Sequence, residues 1–155
     1  MIGNIVKTLF FKKKIIQRED GLDYLVRYTL CNNNWFSIKI HHLKISDSLC
    51  LHDHPWHFYS LILKGGYWEV TPNVDQHKVD ITDSFDGNEQ NTVRKWYRPF
   101  SFLNRPAHWI HRLELPEGKD CWTFVITFKK TKEWGFFTQK FGFINWKKYI
   151  SEEHC

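Results

Sequence analysis

No stretch of this sequence is both long enough and free enough of charge to cross a membrane. The start, Met1-Ile2-Gly3-Asn4-Ile5-Val6-Lys7, lacks the long apolar run and the small-residue cleavage site of a signal peptide. Cysteine is sparse and scattered: Cys31, Cys50, Cys121 and Cys155 form no CxxC pair and no zinc-ribbon spacing. These absences count against a thiolate zinc module and against a disulfide framework. They point to a cytoplasmic protein with reduced, free thiols. Internal repeats, low-complexity tracts and a disordered tail are also missing. So is any sustained helical period, except for a short C-terminal helix expected over Phe143–Tyr149.

What remains is β-rich and aromatic. The 155 residues have room for a single domain, 1–155, with a real core. The formal charge is +5, drawn in part from Lys12-Lys13-Lys14, Lys129-Lys130 and Lys132. Those bases are mixed with acids, which fits a solvated surface better than a phosphate-tracking groove and counts against nucleic acid. A moderate positive charge also suits an anionic small-molecule ligand.

Strands follow one another with short turns. Thr8–Gln17 and Leu22–Cys31 flank the turn signal Asp20-Gly21. Trp35–Ile45 alternates, with Phe36, Ile38, Ile40 and His42 on the apolar face and Ser37, Lys39 and His41 opposite. Ser46-Asp47-Ser48 leads into a central strand from Leu49 to Leu63, which Pro55 should interrupt or bulge. Gly65-Gly66 reads as a two-residue hairpin loop, setting Lys64 against Tyr67 and Ile62 against Glu69. A polar loop, Asn73–Asn91, holds a short strand near Lys78–Ile81. Its acidic spacing does not match an EF-hand. Thr92–Arg98 is a strand, Asn104-Arg105-Pro106 a turn, and Trp109–Leu115 a strand. Pro116-Glu117-Gly118 closes a hairpin into Trp122–Phe128, and Glu133–Phe137 forms a last short strand. About ten strands with frequent turns predict an all-β barrel or sandwich.

The chemistry concentrates at His52-Asp53-His54-Pro55-Trp56. Residues at i and i+2 of a strand share a face, so His52 and His54 project side by side. A histidine taken alone is more often a satisfied core or surface residue. Here His111 in a later strand supplies a third imidazole, and three such nitrogens make a metal site. His42 reads as a satisfied core histidine before a fourth ligand, and Cys50 shares the parity of His52 and His54. Glu69 is the first candidate acid/base, its pKa raised by burial beside aromatics, and His57 is the second. Whether Glu69 faces His54 depends on Pro55: an unchanged parity brings it there, and a bulge turns it away.

The pattern resembles the cupins, small double-stranded β-helix or jelly-roll barrels. Cupins carry a first motif with HxH, a following Glu and a Gly, and a second motif with another His. His52, His54 and Gly65 match the first motif, and His111 matches the second, over roughly Phe36–Phe128. The motif's Glu position falls on Phe58, which cannot bind metal. The resemblance therefore implies a three-histidine centre, with Glu69 as a substitute carboxylate. With Leu63-x-Gly65-Gly66-Tyr67-x-Glu69, His111-Arg112-x-Glu114 and Glu133-Trp134-Gly135-Phe136, the chain is similar to small cupin-like proteins of bacteria and their phages. The resemblance also implies dimerisation by exchange of the first strands.

A divalent metal on three histidines keeps open positions for water, substrate or O₂. Imidazole suits Fe(II), Zn, Ni, Cu or Mn, and the reading places Fe(II) first. The expected function is metal-dependent action on a small molecule, oxygenase-like or Lewis-acid. The alternative is a module that binds or sequesters a small ligand.

Overall fold

The computed structural model describes residues 12–18, 20–75, 91–138 and 142–149. The expected strand start at Thr8–Phe11, the strand at Lys78–Ile81 and Cys155 lie outside them.

The first strands are β1 (Lys12–Gln17), β2 (Asp23–Asn32) and β3 (Phe36–Leu43). Gly21, at φ +80°, makes the β1–β2 turn in the left-handed conformation that glycine adopts without steric cost. Asn33 makes the next turn, its side-chain oxygen accepting from the backbone N–H of Trp35 and Phe36 at 2.8 and 3.0 Å. The expected central strand divides into β4 (Leu51–His52) and β5 (Phe58–Lys64), with Pro55 in the gap. Then come β6 (Tyr67–Pro72), β7 (Thr92–Tyr97), β8 (Phe102–Arg105), β9 (Arg112–Glu114) and β10 (Cys121–Phe128). The chain closes with β11 (Gly135–Thr138), β12 (Gly142–Asn145) and α1 (Trp146–Tyr149), so the expected helix is a strand over its first half.

One sheet has the order β1-β2-β3-β10-β5-β8. Facing it are two three-stranded sheets, β12-β11-β4 and β7-β6-β9. A single antiparallel bridge, His52 to His111, joins these two edge to edge. Among the described residues the strands do not close into a continuous barrel.

Two expected hairpins are instead crossings between layers. β5 pairs with β10 and β8, whereas β6 pairs with β7 and β9. Gly65 and Gly66 therefore form a corner, at φ +82° and +151°. A Cβ on Gly66 would lie 2.7 Å from the Trp96 ring, so only glycine lets the backbone through without displacement. Pro116-Glu117-Gly118 likewise carries the chain from β9, beside β6, to β10, beside β3.

The interior is apolar at one end, where Leu25, Leu43, Ile62, Tyr67, Leu103 and Cys121 pack together. Beyond that cluster the face between the layers is polar, with Ser37, Lys39, Ser60, Thr123 and Thr127 all buried. The alternation expected for β3 is present but inverted. Ser37 and Lys39 turn inward at 6% and 7% exposure, while Phe36 is on the outside. The apolar set instead forms cross-strand pairs on the outer face, Ile40 with Phe124, Ile38 with Ile126 and Phe36 with Phe128. His42 goes with it, stacked 4.1 Å from Trp122 and paired to Asp120 at 2.7 Å, away from the other imidazoles. Cys31 and Cys121 are free thiols, whereas Cys50 is disulfide-bonded, which corrects the expectation of free thiols throughout.

Candidate metal centre

His52 occupies β4 and exchanges both backbone hydrogen bonds with His111, at 2.8 and 2.9 Å. That bridge sets the two imidazoles side by side on the inner face. His54 lies beyond the strand, in a segment pinned from several directions. The N–H of His54 donates to Ala107 at 3.2 Å, and the Pro55 carbonyl accepts from Thr131 at 2.8 Å. Asp53 is 1% exposed, accepts from the Gly135 N–H at 3.0 Å and pairs with Lys132. A buried carboxylate with a cation and a backbone donor is satisfied, so it anchors the loop that presents His54.

The structure brings His52, His54 and His111 together, with one ring nitrogen from each inside 4.8 Å of the others. Ring centroids lie 5.2, 5.2 and 5.1 Å apart. The Nε2 atoms of His54 and His111 are 2.9 Å apart. Two ligands at about 2.1 Å from one ion and at a right angle would be separated by about 3 Å. Burial drives the His52 pKa down to about 4, with Asp47 opposing and His111 adding to the shift. Burial likewise holds His54 well below 6.5, reinforced by His111 and His52. Neutral imidazole is the form that ligates metal.

Glu69 fixes His111. Its carboxylate is 2% exposed and faces the cluster from β6. Because a carboxylate only accepts, the His111 Nδ1–H donates to Glu69 Oε1, at 2.7 Å, which leaves the lone pair on Nε2 aimed at His54. Arg105 grips the same carboxylate through Nε at 3.0 Å and Nη2 at 2.5 Å, and Trp109 Nε1 donates at 3.2 Å. Burial alone would raise the Glu69 pKa, but the His111 and Arg105 hydrogen bonds and charges outweigh it and lower it to about 2. The expected rise in its pKa is thereby corrected: the shift is downward, and both carboxylate oxygens are hydrogen-bonded. Glu69 reaches the site through β6 in the facing sheet and not through a hairpin with β5.

The group tests well for a divalent cation. Two Nε2 atoms converge at coordination spacing, one with its tautomer set from behind by a carboxylate. His52 adds a third ring nitrogen, inside 4.8 Å of the other two. Phe58, at the position where cupins carry Glu, packs its ring 4.9 Å from His54 and supplies bulk in place of a ligand. Trp134 and Phe136 cover the His52 side at 6.5 and 5.6 Å.

His57 is not brought to this cluster. It bonds Asn104 at 2.5 Å beside the rings of Tyr59 and Phe128, on the outer face of the large sheet. Pro55 and the break after it separate His57 from the site. Arg112 pairs with Glu114 at 2.9 Å.

Sequence reading missed Arg105, Arg27, Lys39 and His41 as inward-facing residues. For Arg105 the turn composition of Asn104-Arg105-Pro106 hid a strand end. For Lys39 and His41 the period was right and the side was wrong.

No protein-family model matches the sequence, and no curated protein is similar to it. Solved structures are. The polyketide cyclase RemF from Streptomyces resistomycificus superposes with a TM-score of 0.57 at 13% identity, covering 92% of this chain and 89% of that one. Fe(II) HppE in complex with substrate gives 0.58 at 11% identity, over 81% of this chain and 61% of that one. An RmlC-like cupin from Shewanella frigidimarina gives 0.50 at 14% identity, over 79% and 86%. The chain has the cupin jelly-roll fold.

Proposed function

We propose that this protein is a metal-dependent cupin in which His52, His54 and His111 hold a divalent cation and a small molecule is acted on beside it. The observation that carries the reading is the pair of Nε2 atoms at 2.9 Å, with one ring nitrogen of His52 inside 4.8 Å of the other two imidazoles. Fe(II) is the first choice, with Zn, Ni or Mn compatible with the same donors. The Fe(II) centre of HppE, which shares the fold, supports iron. A bound cation would supply a Lewis acid or, as iron, a redox centre.

The chain's own residues have defined tasks in this reading. Glu69 orients His111 and raises its basicity as a ligand. Arg105 keeps Glu69 ionised, and the rings of Phe58, Trp134 and Phe136 limit water around the donors. A second reading, binding without turnover, draws on the commitment of Glu69: its hydrogen bonds to Arg105, His111 and Trp109 leave it poorly placed to shuttle a proton.

Metal analysis of the purified protein tests the proposal. Stoichiometric iron, or uptake of Fe(II) or Zn by metal-free protein, is expected, and it should disappear in His111→Ala. A His111→Ala variant that keeps its metal would overturn the ligand set. Oxygen uptake by the Fe(II)-loaded protein with candidate substrates then separates catalysis from binding.

A further inference from the structure

The polar half of the interior opens at the β1–β2–β3 end into a cavity of about 440 Å³. Its lining includes Lys12, Lys14, Arg27 and Lys39, with the hydroxyls of Thr29 and Ser37 among them. Register explains why they meet. Lys14 lies opposite Arg27, and Arg27 opposite His41. On the neighbouring rung, Lys12 lies opposite Thr29, and Thr29 opposite Lys39. Directly opposed residues share a face, and like charges placed so are destabilising.

None of the four cations forms an ion pair with a carboxylate among the described residues. Lys39 is 7% exposed, yet its ammonium has only the Thr127 hydroxyl at 2.6 Å and the Trp56 ring at 4.9 Å. Arg27 donates to His41 Nε2 at 3.2 Å, a neutral acceptor. Burial, with Arg27 nearby, lowers the Lys39 pKa to about 8. Lysines on an edge strand blunt aggregation, which accounts for Lys12-Lys13-Lys14 on β1. It does not account for Arg27 and Lys39 on β2 and β3, inside the sheet. Uncompensated buried charge is tolerated where a ligand supplies the counter-charge.

We propose that Lys14, Arg27 and Lys39, with Lys12 at the mouth, form a binding site for the dianionic head group of a small molecule, a phosphate monoester or a phosphonate. The cavity is of small-ligand size and is lined by one face of β1, β2 and β3. His41 accepts from Arg27 beside the cavity. The anion site does not rest on the metal-centre reading.

Inorganic phosphate is the probe, titrated by calorimetry into wild-type protein, Arg27→Gln/Lys39→Met, Lys14→Gln and the outward-facing control Lys13→Gln. Phosphate should bind the wild type and Lys13→Gln equally. The double variant should lose at least tenfold in affinity, and Lys14→Gln severalfold. Should the double variant fail to fold, the Lys14→Gln and Lys13→Gln pair decides alone. No phosphate binding, or equal loss in Lys13→Gln and Lys14→Gln, overturns the inference. His111→Ala separates the two readings, since it should lose metal and keep phosphate. Phosphate binding in a protein that takes up no metal would leave this site standing and remove the metal centre.

Discussion

Lys39 makes the relation between function and stability measurable. At 7% exposure its cation sits inside the sandwich with a hydroxyl and a ring in place of a carboxylate. For a lysine lowered from 10.5 to about 8, burial penalises the charged form by about 3 kcal/mol relative to the unfolded chain. Replacement by Met removes that charge and keeps the bulk, while the lost Thr127 hydrogen bond subtracts about 1 kcal/mol. Lys39→Met should therefore stabilise the protein at pH 7 by about 1–2 kcal/mol, raising Tm by several degrees. The sign of the pH dependence follows from linkage. Below pH 8 the lysine is charged in both states, and the folded state bears the full cost. Between pH 8 and 10.5 the folded protein sheds the proton first, so wild-type stability rises with pH and the advantage of Met shrinks. Above 10.5 the advantage is gone. Denaturant melts of both proteins at pH 7 and pH 10 in phosphate-free buffer check this. A less stable Lys39→Met at pH 7, or a difference that does not change with pH, would refute the reasoning.

Other expected outcomes are as direct. Arg105→Met leaves the Glu69 carboxylate buried without its cation and should cost about 3–5 kcal/mol in chemical denaturation. Adding Glu69→Leu should recover part of that loss, and strict additivity of the two changes would argue against the pair. Glu69→Gln should weaken metal binding about 10–100-fold in competition with a chelator, because His111 loses the acceptor that sets its tautomer. An unchanged metal affinity would show that Glu69 is only structural. Gly66→Ala should destabilise by about 2 kcal/mol or more, since its Cβ meets the Trp96 ring and the Tyr97 carbonyl, each at 2.7 Å. A variant as stable as wild type would mean that the corner relaxes freely.

The alternation of β3 and the aromatic run of β10 are legible in the sequence because strand period is a local property. So is the pairing of His52 with His54, since adjacent parity needs no tertiary knowledge. Which face of a strand is inside is not local. An apolar face can be satisfied by cross-strand neighbours, as Ile38, Ile40, Phe124 and Ile126 show. A polar face can be buried where a site needs it, as with Lys39. Gly-Gly and Pro-x-Gly announce a turn but not which sheet follows, so both layer crossings read as hairpins. Strand parity across Pro55 left open whether Glu69 meets the histidines, and it arrives from the facing sheet through β6.

The amino-acid order alone determined the all-β class, most strand positions and the three imidazoles, because these depend on period, turn chemistry and spacing. Tertiary structure decided that His52 of β4 meets His111, just before β9, and that His111 and Arg105 converge on Glu69. It also placed Lys14, Arg27 and Lys39 around one cavity. Those outcomes depend on long-range pairing, where charges far apart in the chain become neighbours only after the layers close.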